Sequence, residues 1–345
     1  MNFWQKLPQP ILGLAPMDGV TDAAFRYITA KYGKPDVIFT EFVSIDGLAH
    51  SVPRLLRDFL YSEIERPIVA QIYGNDPKIF YEIAIMVCEL GFDGLDINMG
   101  CPAKSVAARG CGAGLIRTPE LAKTIIRTCK QGITDWVNGK SLRTLSFKPK
   151  MLAALDEMKS GHPLPTTRKA IPVSLKTRIG YDKVIITDWV QHLLEAEPVA
   201  ISIHGRTLKQ MYQGQADWEA IAQAAEIIKK TSTLALGNGD IQTLDEAKKR
   251  ILETGVHGVL LGRSVMGNPW IFNRSNPEPN PQAIFEVLLD HAKYYEQVRG
   301  KDRFFEMRKH MGWYARGFPF AKELRSQLFT SNTSQEVEQI VASFL

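Results

Sequence analysis

Residues 234–263, LALGNGDIQTLDEAKKRILETGVHGVLLGR, hold two short runs of low charge, Leu234–Asp240 and Gly258–Arg263, on either side of a polar stretch. Each run has strand composition and ends in glycine and polar residues. Between them Thr243-x-x-Glu246 is a capping box, in which two side chains satisfy backbone N–H groups at a helix start, opening a helix to Glu253. Strand, helix, strand in that order implies parallel pairing, because only a crossover returns the chain to the same edge.

The same unit recurs upstream. Ile11–Pro16, Val37–Phe42, Ile68–Gly74, Gly94–Gly100, Val173–Arg178 and Ala200–Gly205 are further strand-like runs, while Asp76-Pro77 opens a helix to Leu90 and Thr118-Pro119 one to Lys130. Consecutive runs start 24 to 34 residues apart, except for 79 residues between Gly94 and Val173. Eight such units predict an α/β fold, a (β/α)8 TIM barrel over 1–275, with an insertion near 131–169. A doubly wound open sheet also fits the strand count. Prolines 277, 279 and 281 mark a boundary, and the remainder, 282–345, reads as a small all-helical domain. Its helices are expected at Ala283–Val298, Arg303–Arg316 and Phe320–Phe329, with a last one opened by the capping box Thr333-x-x-Glu336.

Composition narrows the class. The chain has 345 residues, 45% hydrophobic and 23% charged, as expected of a folded soluble protein. No basic leader with an apolar core and no run of ~18 apolar residues occurs, so neither secretion nor a membrane partner is expected. Cys88, Cys101, Cys111 and Cys129 form no C-x-x-C pair and have no histidine at ligand spacing, so no metal site or disulfide is expected and a cytoplasmic location is. The net charge of +5 is uneven: residues 130–170 and 299–325 each carry eight basic against three acidic side chains, on an otherwise acidic chain. Two basic segments suit an anionic polymer as partner, and equally suit solvated lysine-rich faces.

In a barrel of this kind the chemistry sits at the C-terminal ends of the strands. Those ends are polar: Gln71, Asn98-Met99-Gly100-Cys101, Lys176-Thr177-Arg178, His204-Gly205-Arg206, Asn238-Gly239-Asp240 and Gly262-Arg263. Gly239 and Gly262 allow backbone N–H groups to approach a phosphate, and Arg263 adds a cationic fork. Lys176 suits a ring that becomes anionic on reduction, and Gln71 can read the edge of an isoalloxazine. With no G-x-G-x-x-G after a strand, FMN on a barrel is the preferred cofactor. Cys101, between Gly100 and Pro102 with no basic neighbour, reads as a general acid rather than a thiolate nucleophile.

The motifs LAPMDGVTDAAFR, FTEFV, QIYGNDP, DINMGCPAKSV, KTRIGYD, HGRT, YQGQADW, GNGDI, GRSVMGNPWIF and RKHMGWYARG resemble, in order, those of the flavin-dependent tRNA-dihydrouridine synthases. The resemblance covers the chain except 131–169, and Ser264 stands where the family more often has Gly or Ala. It implies FMN contacts from Pro16, Met17, Gln71, Lys176, His204, Asn238, Gly239, Asp240, Gly262 and Arg263. It further implies Cys101 as proton donor, Asn98 and Arg178 in the uracil pocket with Arg206 on the same rim, and NADPH as reductant. The reaction implied is reduction of the C5–C6 bond of a uridine extruded from tRNA. Arg308 and Lys309, beside Trp313 and Tyr314, are the expected tRNA contacts, and the 131–169 insertion ranks second. No protein partner is implied, and the target uridine and oligomeric state stay open. A small-molecule FMN oxidoreductase, a non-redox phosphate-binding barrel and a catalytically silent RNA-binding protein are the alternatives.

Overall fold

A computed structural model of the chain describes residues 2–160, 167–274 and 279–344. Eight parallel strands close into a barrel in sequence order: β1 Ile11–Leu14, β2 Val37–Ser44, β3 Ile68–Tyr73, β4 Gly94–Met99, β5 Val173–Arg178, β6 Ala200–His204, β7 Leu234–Asn238 and β8 Gly258–Leu261. Closure rests on β1 against β8, in register from Ile11↔Gly258 to Leu14↔Leu261. The open-sheet reading is thereby excluded. Helix starts follow the predicted chemistry: Asp76 accepts from Lys78 N and Ile79 N ahead of Pro77–Glu89, and Thr243 accepts from Glu246 N ahead of Leu244–Thr254.

The helix expected to stop at Lys130 runs over Pro119–Val137. Gly132 does not break it, because it lies against the helix Pro77–Glu89 where an added Cβ would come 2.6 Å from Tyr81 O. The irregular part of the insertion therefore begins after Val137. It contains the helix Pro149–Ser160, wider than the short one expected near Met151–Lys159, with Met151 and Leu155 buried in the main core. Lys159 pairs with Glu89 at 3.0 Å, and Arg168 donates to Trp136 O at 2.7 Å. Both partners lie at helix C-terminal ends, toward the end of the barrel opposite the strand C-termini. At the other end of the insertion's helix Lys148 N donates to Ser51 Oγ at 3.2 Å, in the segment that follows β2. Residues 161–166, including Gly161, Pro163 and Pro165, and residues 276–278 of the proline-rich stretch lie outside the described residues.

The C-terminal region is helical: Pro281–Arg299, Arg308–Tyr314, Ala321–Leu328 and Ser334–Ala342. The expected helix Arg303–Arg316 is instead a 3-10 segment, Lys301–Met307, running into a shorter α-helix. Its core, including Leu288, Tyr295, Phe304, Met311 and Leu328, is continuous with Ala24 and Ile28 of the helix after β1. Each such side chain contributes about 1.5–3 kcal/mol on burial, so the two parts are joined by a core and not merely by the linker. Tyr27 stacks on Tyr294 at 3.8 Å between centroids. Buried within the seam, His310 Nε2 lies 2.9 Å from the Asp22 carboxylate, which also caps Ala23–Tyr32 through Ala24 N and Phe25 N. Burial pushes His310 below the ordinary histidine range, so it enters neutral and donates Nε2–H.

Asp22→Ala removes a helix cap and a buried acceptor together, and its expected cost is about 2–4 kcal/mol. Chemical denaturation measures it. A loss under about 0.5 kcal/mol would show that the seam does not depend on this carboxylate.

Candidate active site

A pocket of about 560 Å³ opens at the C-terminal rim of the strands. It collects twelve of the predicted site residues: Pro16 and Met17 after β1, Asn98 and Cys101 at the end of β4, Lys176 and Arg178 on β5, and His204 on β6. Asn238, Gly239 and Asp240 come from the end of β7, and Gly262 and Arg263 from the end of β8. Parallel pairing gathers them, since every strand delivers its C-terminus to the same end.

One side of the pocket is built around Asp240. Its carboxylate accepts from Arg206 Nη2 at 2.5 Å, Arg263 Nη2 at 2.7 Å and Ala216 N at 2.8 Å. Burial would raise this carboxyl, but Arg206, Ala216 N–H and Arg263 together hold it below the ordinary range. The fork of Arg263 is thus oriented while its side chain stays 55% exposed. Gly239 has φ +131°, and an added Cβ would come 2.7 Å from Ala216 Cβ. At Gly262 an added Cβ would meet Met17 Sδ at 3.3 Å, on the pocket wall. The two bare backbones and the oriented guanidinium form a cradle matched to a phosphate.

Across the pocket the field is positive. Lys176 is half-buried, and among the described residues its ammonium makes no hydrogen bond to the protein. Burial and Arg178 push it down to about 8, while Asp96 beneath works the other way. His204 falls to about 2 through burial and then the four cations Lys176, Arg178, Arg206 and Arg263, so the ring is neutral. Arg206 Nη1 faces its Nε2 at 3.3 Å, which assigns the ring proton to Nδ1. An unpaired ammonium and a neutral N–H donor beside a phosphate cradle fit the edge of a flavin and its phosphate tail.

Cys101 is 7% exposed. Its backbone N–H donates to Asn98 Oδ1 at 2.8 Å. Burial and Asp18 raise its thiol, outweighing the Ala103 N–H and Arg178, so it is protonated at neutral pH. Arg178 donates to Gly100 O at 2.7 Å and to Thr207 O and Met211 O at 3.0 Å each, tying the loops after β4 and β6 together. Cys88 and Cys129 are buried in helices, and burial drives both thiols far up.

Four predicted residues lie elsewhere. Gln71 does not line the pocket: fully buried, it bonds Asp96 and Asn98 inside the barrel. Arg206 is also buried, spent on Asp240, Gln213 O and Gly214 O, because the returning loop closes over it. Arg308 is half-buried against Ser331 O and Asn332. Lys309 is exposed and close enough to Asp18, on the pocket wall, to offset part of the rise that burial gives that carboxyl. Sequence reasoning missed Asp96, Asp18 and Tyr212, whose ring sits 5.9 Å from the Arg178 guanidinium. Asp96 had a signal, since it precedes Asn98 by two and so shares its face of the strand.

A closed parallel barrel with a cationic pocket at the C-terminal rim of its strands is an arrangement able to take an anionic, phosphorylated ligand. The family model described as dihydrouridine synthase (Dus) matches residues 13–141 and 155–345. The chain is 32% identical to "Probable tRNA-dihydrouridine synthase 2" of Bacillus subtilis (strain 168), over 99% of this chain and 96% of that protein. It is 31% identical to "Probable tRNA-dihydrouridine synthase" of Staphylococcus aureus (strain COL), over 99% and 95% respectively. The chain belongs to the dihydrouridine synthase family and is a flavin-dependent oxidoreductase.

Because Lys176 loses its charge through about pH 8, apoprotein affinity for flavin should fall as pH rises past that point. The dependence should vanish in Lys176→Met, which should also bind flavin more weakly at pH 7. Fluorescence titration reads both, and a wild-type affinity flat from pH 6.5 to about 9 would remove Lys176 from the flavin site.

Proposed function

We propose that the protein is a tRNA-dihydrouridine synthase that uses FMN, takes its electrons from NADPH and saturates C5–C6 of one uridine in tRNA. The observation that carries this reading is the protonated Cys101 thiol held at the wall of a cationic rim pocket, in a chain of this family. Bound and reduced, FMN would supply the hydride equivalent for C6 of the pyrimidine.

The chain's own residues do the rest. Gly239, Gly262 and Arg263 would hold the FMN phosphate, with Asp240 fixing the arginine. Pro16, Met17, Asn238 and His204 would bound the ring and Lys176 would stabilise negative charge at its edge, while Gln71, beneath the pocket, acts by holding Asn98. Asn98 and Arg178 face the uracil, with Arg206 as support for the rim. Cys101 delivers the proton to C5, which its raised thiol permits because the acid form prevails at neutral pH.

A uracil stacked inside folded tRNA must leave the stack to enter a pocket of this depth. Lys309, with Arg308 beside it, takes phosphates next to the pocket mouth, and the C-terminal helices serve as the tRNA-binding domain of an otherwise FMN-binding barrel. The insertion, docked along the side of the barrel from Ser51 to Glu89 and Trp136, ranks second as a tRNA contact. A tRNA substrate and NADPH as reductant support a cytoplasmic location.

Cys101→Ala should reduce its flavin with NADPH at the wild-type rate yet reduce uridine ~10²–10⁴-fold more slowly, the worth of a positioned acid. Stopped-flow of the two half-reactions separates these, and uridine reduction at the wild-type rate would remove Cys101 as donor. Arg308→Ala with Lys309→Ala should flatten the slope of log tRNA affinity against log salt by ~0.7–0.9 for each phosphate no longer neutralised. An unchanged slope would take tRNA off this face, and a drop only on shortening residues 131–169 would move it to the insertion.

A further inference from the structure

Beneath the pocket the barrel interior holds a chain of hydrogen bonds with one direction. Asp96 is fully buried on β4, paired in register with Gln71 of β3 and Ser174 of β5. Its Oδ1 accepts from Ser174 Oγ at 2.6 Å and its Oδ2 from Gln71 Nε2 at 2.7 Å. Gln71 Oε1 then accepts from Asn98 Nδ2 at 2.9 Å. Asn98 Oδ1 in turn accepts from Gly100 N at 3.0 Å and Cys101 N at 2.8 Å.

An amide offers a donor at one end and an acceptor at the other, and by shape alone either sense would fit. Burial raises the Asp96 carboxyl to about 6, against the hydrogen bonds from Ser174 and Gln71 and the charge of Lys176, so at neutral pH it is ionised and only accepts. With Oδ2 of Asp96 at the bottom, Gln71 must turn its Nε2 down and its Oε1 up. Asn98 must then turn Nδ2 toward Gln71, which leaves Oδ1 as the acceptor for the Cys101 loop. Reversed amides would set Nδ2 of Asn98 against two backbone N–H groups and release the loop.

We propose that Asp96 is a positioning residue for Cys101: through Gln71 and Asn98 it fixes the backbone of the loop that carries the thiol. This rests on the reading of Cys101 as proton donor, while the chain of bonds is a property of the protein without tRNA. The role differs from simple packing, since it depends on an acceptor at position 96 and not on volume. Asparagine can still present an oxygen to Gln71 Nε2 with Ser174 Oγ accepting from its amide, whereas leucine of similar size cannot.

The test alkylates Cys101 with iodoacetamide at fixed pH, without tRNA, in wild type, Asp96→Leu and Asp96→Asn, with labelling at Cys101 resolved by peptide mass. In Asp96→Leu the released loop exposes the thiol and labelling should accelerate by about fivefold or more, while Asp96→Asn restores most of the protection. Asp96→Leu, saturated with FMN, should also lower kcat for uridine about 10–100-fold with KM for tRNA unchanged. Equal labelling in all three proteins would overturn the proposal, as would equal acceleration in Leu and Asn. Should Asp96→Leu not fold, Gln71→Met cuts the chain one link higher and must accelerate labelling in the same way, or the proposal fails. If wild-type protein does not reduce tRNA uridine at all, the assigned reaction fails, while the labelling series still decides the role of Asp96.

Discussion

Pairing of β1 with β8 is the constraint on which the site depends. Four register pairs, from Ile11↔Gly258 to Leu14↔Leu261, convert a row of parallel strands into a cylinder. Only then do Met17 after the first strand and Gly262 after the last come together, and only then does the rim have a middle. The closeness needs small residues: an added Cβ on Gly258 would come 2.2 Å from Ile11 O. A barrel closed this way is also packed inside, so the pocket sits on a floor of side chains and its polar layer must be fully satisfied.

The electrostatics follow from that floor. Lys176, Arg178, Arg206 and Arg263 crowd one rim, and two carboxylates organise them: Asp240 grips two of the arginines, and Asp96 lies beneath the lysine. His204 is neutral because it is buried and surrounded by cations. The result is a pocket that favours an anion yet keeps one neutral acid, the Cys101 thiol, in place. The C-terminal helices join the same system. His310 holds Asp22, which caps the helix entered from the β1 loop, and Arg299 lies 3.8 Å from Glu41, whose carboxylate accepts from Gly19 N at 2.6 Å. The loop carrying Met17 and Asp18 is therefore braced from the helical side.

Much of this was legible in the sequence. The eight strands, the capping boxes and the rim motifs are local signals, and parallel order converts them into one site. What stayed hidden depends on how distant segments meet. Arg206 and Arg263 are the same residue type on one rim, but the loop through Gln213 and Gly214 closes over the first and leaves the second exposed. Gln71 was placed on the correct strand and one layer too high, because strand position does not say how far a side chain reaches. The continuation of the helix through Gly132 needs its neighbour at Tyr81, and Asp22 meets His310 across 288 residues.

The central claim is that this rim reduces a uridine in tRNA. The most direct measurement is a map of dihydrouridine along the tRNAs of cells lacking the protein, read by mass as the addition of a hydrogen pair to uridine. The account predicts that dihydrouridine disappears from a defined position and returns with the wild-type gene but not with Cys101→Ala. A map identical to that of the parent cells at every position would contradict it.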